Sequence, residues 1–257
     1  MNVVLYGAGG KRWAMTERRP HAVTRSASAL TIGRSTMEWN GTCLTIHIDE
    51  VTAPFPTRIR GRVRLHPTGL ARHVVALDAA GRHGWSPIAP LARVEVALEQ
   101  PDRSWLGDGY FDSNWGSRAL EQDFTSWTWC RAPLPDGAAV LYDVARRDGT
   151  ALCVALAYGD DGTVAAIDPP PVRPLRPTFW GLPRTTRSEA EARVTQTLED
   201  APFYGRSVVR TRLLGQDVTA MHENLSLTRF DTWWMRLMLP FKAPRDWGGA
   251  EKGSGLS

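Results

Sequence analysis

Cysteine is scarce and odd in number: Cys43, Cys130 and Cys153 stand far apart in 257 residues. That spacing argues against a disulfide framework and fits a reducing compartment. No apolar run approaches the roughly 20 residues that a spanning helix needs, and the N-terminus lacks a basic segment followed by an apolar one. The chain therefore reads as cytoplasmic, either soluble or peripheral to a membrane. Lysine is almost missing, so nearly all the cations are Arg, and the net charge of +4 is too small for a nucleic-acid footprint. RNP, zinc-finger and helix-turn-helix patterns do not occur, and no nucleic-acid partner is expected. The histidines, His21, His47, His66, His73, His83 and His222, form no HExxH, and the cysteines form no CxxC. With no GxSxG elbow and no P-loop either, metal, hydrolase and kinase readings have nothing positive behind them.

Tryptophan, by contrast, is abundant at eleven residues. It joins a large apolar ring to a single donor, so this enrichment points to a large apolar ligand or a membrane boundary. The stretch Gly109 to Arg131, GYFDSNWGSRALEQDFTSWTWCR, sets Asp112 among Tyr110, Asn114, Trp115, Trp127 and Trp129. In an extended segment Tyr110, Asp112 and Asn114 share one face, and Trp127 and Trp129 form a second such pair. His83 and Trp85 in GRHGWSPIAP are again two apart. An acid on an aromatic wall suits a reaction that begins by protonating something apolar. Taken by themselves, Asp112 in DSN also reads as a turn carboxylate and His83 as an exposed loop histidine.

Short alternating runs dominate the rest. Residues 2–10, NVVLYGAGG, predict a strand and a glycine turn. A dinucleotide-binding loop is disfavoured, because the third glycine would fall at Arg12 and no helical stripe follows. CLTIHIDE from Cys43 and RIRGRVRL from Arg58 predict half-buried strands, the second opposing Ile59, Val63 and Leu65 to four arginines that form a solvated face or meet lipid. Strand patterns continue at Arg93 to Glu99, Ser126 to Arg131, Ser207 to Leu214 and Val218 to Leu227. Asp136-Gly137, Asp148-Gly149 and Asp161-Gly162 punctuate the apolar runs between them and predict an antiparallel meander. Pro169 to Pro183 reads as a linker or long loop, and Ser188 with Glu191 has capping-box spacing that predicts a short helix. Thr232 to Phe241 reads as core closure. The class is all-β, with an N-terminal β domain over 1–132 carrying the acid and aromatic site, a second barrel or sandwich over 133–245, and a disordered tail over 246–257.

Several uncommon strings occur together: NVVLYG, RIRGRVRLHP, HGWSPIAP followed by ARVEV, GYFDSNWG followed by WTWCR, and DAPFYGRSVVRTRL. In this the chain resembles the bacterial carotenoid 1,2-hydratase (hydroxyneurosporene synthase) family from Asn2 to about Pro244. Members of that family usually carry further residues ahead of the NVVLYG strand. The resemblance implies two lipocalin-like antiparallel β domains packed together and addition of water to the terminal C1=C2 bond of acyclic carotenoids such as neurosporene and lycopene, without a cofactor. It assigns the site to an HxW pair and a YxD pair, here His83, Trp85, Tyr110 and Asp112. It also implies peripheral association with the inner or photosynthetic membrane, where a long apolar substrate resides.

The chemistry required is definite. An isolated alkene is a poor base, so Asp112 must be protonated near neutral pH, and burial must raise its pKa well above the reference of about 4. Protonation at C2 leaves a tertiary cation at C1, which aromatic faces stabilise by about 2 kcal/mol each when desolvated. Trp85 and Tyr110 are the first candidates for those rings, with Trp127 and Trp129 second or lining the polyene tunnel beside Trp115 and Asn114. His83 orients the water or accepts its proton, and an exchange of roles with Asp112 stays open. A non-catalytic lipocalin-like carrier and a cofactor-free cyclase on a related scaffold are the competing readings.

Overall fold

Branched and aromatic side chains alternating with charged ones favour extended ladders with one face inward. The computed structural model describes residues 1–7, 10–53 and 55–235. Its first strands are β1 (Asn2–Leu5), β2 (Arg12–Met15), β3 (Val23–Arg25), β4 (Ala29–Ile32), β5 (Ser35–Trp39), β6 (Leu44–Val51), β7 (Arg58–Pro67), β8 (Val75–Ala76), β9 (His83–Gln100) and β10 (Arg103–Gly116). There follow β11 (Phe124–Leu134), β12 (Gly137–Arg146), β13 (Ala151–Tyr158), β14 (Val164–Ala166), β15 (Val172–Leu175), β16 (Arg184–Arg187), β17 (Arg193–Asp200), β18 (Tyr204–Leu213), β19 (Gln216–Ser226) and the single turn α1 (Leu227–Phe230). The chain is all-β, and among the described residues neither of its two larger sheets closes into a barrel. No helix among those residues is long and apolar enough to cross a membrane.

Contacts divide the described residues into two units, residues 1–64 with 95–105, and residues 65–94 with 106–235. The boundary expected near residue 132 falls inside β11 and inside the second unit. In the first unit β1 and β2 form an antiparallel hairpin, not the strand and helix of a dinucleotide fold. Its Ala14 packs with Ile48 and Ile59 of β6 and β7. Glu50 sits on the inward face of β6 and is fully buried, which is tolerable because Ser35 Oγ donates to it at 2.7 Å and Arg18 at 3.0 Å. On the outward face of β7, Arg58 pairs with Asp49 at 2.7 Å and Arg60 with Glu99 at 3.0 Å, so this is an ion-paired, solvated surface.

The second unit is built on the sheet β14-β13-β12-β11-β19-β18-β17. The three Asp-Gly pairs fall at its hairpin bends, where Gly149 and Gly162 take φ of 86° and 83° and the Asp148 and Asp161 carboxylates accept the N–H two residues on. The run AAVLYDVAR is apolar at successive positions because both faces of β12 are covered. Val140, Tyr142 and Val144 pack with Trp85 and Phe124 on one side, while Ala139 and Leu141 pack with Cys130, Leu213 and Ala220 on the other. The second side faces the β15–β16 ribbon, which Arg187 ties to Asp143 at 2.7 Å and His222 Nε2 ties through the Thr185 carbonyl at 2.8 Å.

Three local expectations differ. The proline-rich stretch is not merely a loop, since β15 lies within it and pairs with β16. Ser188 starts no helix: its hydroxyl accepts the N–H groups of Ala190 and Arg212 and thereby pins a bend to β18. The capping spacing had no apolar stripe behind it to pay for helical order. Of the segment expected to close the core, Met235 is buried, but Trp233 is 74% exposed and Trp234 is exposed too; residues 236–241 and the tail over 246–257 lie outside the described residues. None of the three cysteines forms a disulfide.

Candidate active site

Register fixes the floor of the site. Trp129 on β11 is paired with Tyr142 on β12 and with Glu223 on β19, which is in turn paired with Arg206 on β18. Side chains in register on adjacent strands share a face, so Tyr142, Trp129, Glu223 and Arg206 form one row. Trp127 stands in the next row, its ring 5.9 Å from that of Tyr142. All five line a cavity of about 520 Å³ within the second unit.

The opposite wall comes from β9 and β10. Alternation along β10 places Tyr110, Asp112 and Asn114 on the cavity side, as the extended reading required, while Phe111 and Ser113 are not part of the lining. Trp115 breaks the alternation and also lines the cavity. Its indole lies on the backbone of Gly84, where any side chain would collide with it. His83 and Trp85 flank that glycine on β9 and line the cavity too. The structure thus brings all eight sequence-selected residues, His83, Trp85, Tyr110, Asp112, Asn114, Trp115, Trp127 and Trp129, around one space.

Asp112 is not the solvent-facing turn residue that its sequence context also allowed. Its Oδ2 accepts hydrogen bonds from Trp85 Nε1 at 2.8 Å and from the Tyr110 hydroxyl at 3.0 Å. Burial raises its pKa above the usual carboxylate value, against the opposing pull of those two donors. The Tyr110 phenol is pushed far upward, first by burial and then by the Asp112 charge, and so stays a donor. Its ring packs against Trp129 at 5.0 Å, and Trp85 meets Tyr142 edge-on at 5.3 Å. Apart from the paired Arg206 and Glu223, joined at 2.8 Å, this part of the wall is aromatic.

His83 is likewise no exposed loop histidine: it is 1% exposed, with Nε2 2.8 Å from Asp123 Oδ2. Asp123 also accepts from Arg82 Nη2 at 2.6 Å and from Arg118 Nε at 2.5 Å. Sequence reasoning passed over Asp123, Arg82, Arg118, Tyr142, Arg206 and Glu223. Asp123 follows a single 3-10 turn and looks like any turn carboxylate, and its contact with His83 spans 40 residues of chain. The Tyr142, Arg206 and Glu223 row becomes visible only once strand register is known.

The sequence matches the family described as Carotenoid hydratase CrtC over residues 1–251. An acyclic carotenoid 1,2-hydratase of Thiocapsa roseopersicina is 49% identical over 248 residues, and one of Rubrivivax gelatinosus is 46% identical over 249; each alignment covers 95% of this chain and 61% of the relative. A namesake from Rhodobacter capsulatus is 40% identical over 256 residues, covering 98% of this chain and 90% of the relative. The chain thus spans about three fifths of the length of the first two relatives. Among solved structures, that of CghA with Sch210972 superposes with a TM-score of 0.51 at 13% identity, covering 84% of this chain and 74% of that one, a likeness of fold alone. With the match running through both units and every motif of the cavity wall, the chain belongs to the carotenoid hydratase CrtC family.

Proposed function

We propose that this chain adds water across the terminal C1=C2 bond of acyclic carotenoids such as neurosporene and lycopene, giving a tertiary alcohol, with its own side chains as acid and base and no cofactor. The observation that carries the reading is Asp112, a carboxyl whose pKa burial raises, set in an aromatic cavity and held there by Trp85 and Tyr110. The relatives' name, acyclic carotenoid 1,2-hydratase, supports the substrate class.

Both donors act on Oδ2, which leaves Oδ1 to carry the proton to C2. The tertiary cation at C1 then lies among the rings of Trp85, Tyr110, Trp127 and Trp129, each able to contribute about 2 kcal/mol in a desolvated setting. His83 receives the proton of the attacking water, and Asp112 regains its own by relay. The cavity volume suits one end of a long polyene. The rest of such a substrate stays in a membrane, from whose surface the protein collects it.

The test is product analysis by chromatography and mass spectrometry after incubating the protein with lycopene or neurosporene in detergent, beside Asp112→Asn. Gain of one water by the unaltered protein, with turnover lower by ~10²-fold or more in a variant that still binds the polyene, is expected for loss of a general acid. Equal conversion by both would remove Asp112 from the role of acid. Binding without conversion by either would favour a carrier.

A further inference from the structure

The proposed reaction, on which this inference rests, uses the ring of His83 but leaves the acid behind it without a task. Asp123 is buried, and its hydrogen bonds from Arg118 above all, with those from His83 and Arg82, hold its carboxyl far below the usual range despite burial. An ionised carboxylate can only accept, so the ring nitrogen 2.8 Å away, Nε2, must be the one that carries hydrogen. The other nitrogen, Nδ1, is buried and has no hydrogen-bond partner among the described residues. It is also the atom nearest to the position that a side chain on Gly116 would occupy, and Gly116 and His83 both line the cavity. The edge-on ring of Phe124, 4.9 Å away, and the bond from the His83 N–H to Asp78 Oδ2 at 2.7 Å fix the plane and the root of the imidazole.

We propose that Asp123, clamped by Arg82 and Arg118, is a positioning residue that fixes His83 as the Nε2–H tautomer and presents the Nδ1 lone pair, through the gap at Gly116, to the water that adds to the substrate cation. In that step the water oxygen forms its bond to C1, one of its O–H bonds breaks, and the proton passes to Nδ1. The imidazolium so formed faces the Asp123 carboxylate, which offsets its charge. The proton then returns through water to the Asp112 carboxylate, restoring both groups. Asp78 and Asp123 balance Arg82 and Arg118 around the ring, so the added charge arrives in a shell that is neutral beforehand. An ion cluster that merely pinned the 3-10 turn at Leu120–Gln122 would need the Arg–Asp pairs but no histidine between them and the cavity.

Long-range ¹H–¹⁵N correlation of the histidine rings in the whole protein tests this directly. The signals lost in His83→Gln should show a protonated Nε2 and a bare Nδ1. An Nδ1–H ring, or a mixture of tautomers, would overturn the inference and leave the proposed hydration standing. In Asp123→Asn the two guanidinium groups claim the amide oxygen and turn its NH₂ toward Nε2, so the ring should switch to the Nδ1–H form. Turnover should fall by ~10²-fold or more with KM little changed, as for a base held in the wrong tautomer. A folded Asp123→Asn with full turnover sinks the proposal. If that variant does not fold, Gly116→Ala decides: a methyl there would press on Nδ1, so it either shifts the ring or shuts water off from that nitrogen, turnover should fall in both cases, and unchanged turnover refutes the role of Nδ1. Failure of the unaltered protein to hydrate any acyclic carotenoid overturns the parent reading instead, and with it the step assigned to His83.

Discussion

Asp112 experiences two opposed influences, and their balance sets where it titrates. Burial raises its pKa, whereas the hydrogen bonds from Trp85 and Tyr110 lower it. A group whose native pKa is raised keeps its proton to higher pH, so the alkaline limb of the pH profile of turnover should fall as pH rises through the native value of Asp112. Tyr110→Phe removes one of the lowering influences while keeping the ring against Trp129. The ¹³C carboxyl resonance of Asp112 should then titrate at higher pH than in the unaltered protein; a move to lower pH would mean that the phenol does not donate to it. At this scale the sequence revealed what alternation along one strand can reveal. Tyr110, Asp112 and Asn114 share a face because they are two apart on β10, and His83 and Trp85 do so on β9. It could not reveal Asp123, whose bond to His83 closes across β9, β10 and the turn after them, nor the exposure of any of these groups.

Whole strands show why some patterns were readable and others were not. The Asp-Gly bends needed only local chemistry, a carboxylate that accepts the N–H two residues on and a glycine at positive φ, so the meander of β11 to β14 followed from sequence. The capping spacing at Ser188 needed a helix with an apolar stripe, and the hydroxyl found the backbone of Arg212 instead. The β15–β16 ribbon, hidden in a proline-rich stretch, shapes the far face of the main sheet and places a buried histidine there. His222 is pushed down to about 4 by desolvation, against the bond to the Thr185 carbonyl, from an unfolded value of about 6.5. Between those two values the unfolded chain binds a proton that the native one refuses. Stability from this group is therefore whole above about pH 6.5 and is lost as pH falls toward 4. The loss at pH 5 is on the order of 2 kcal/mol. His222→Gln can still donate to Thr185 but cannot titrate. Urea unfolding at pH 7 and pH 5 should show a smaller difference between the two pH values in the variant, and an equal difference would remove His222 as the cause.

For the molecule as a whole, the difficulty that the proposed function raises is a substrate that hardly dissolves in water. The arginine face of β7 is a poor candidate for collecting it, because Arg58 and Arg60 are already paired with Asp49 and Glu99. Exposed aromatics of the second unit are better placed chemically. Phe179 is 91% and Trp180 52% exposed, yet their backbone is tethered: the Phe179 N–H donates to Asp200 at 2.6 Å, and Arg229 donates to the Trp180 carbonyl at 3.2 Å and the Gly181 carbonyl at 3.0 Å. Trp233 is likewise exposed. Rings held in water by a tethered backbone lose apolar free energy that insertion into a bilayer interface would restore, at roughly 25 cal/mol per Å². Replacing Phe179, Trp180 and Trp233 by Ser should therefore cut co-sedimentation with phosphatidylcholine vesicles several-fold while leaving thermal unfolding nearly unchanged, since none of the three is buried. With a net charge of only +4, the binding that is lost should be largely insensitive to salt. The KM for lycopene carried in vesicles should rise, and the KM for lycopene dispersed in detergent should not, because only the first route requires docking. Vesicle binding equal to that of the unaltered protein would dismiss these three rings as the docking surface, and a rise in KM in both media would place them on the path into the cavity instead.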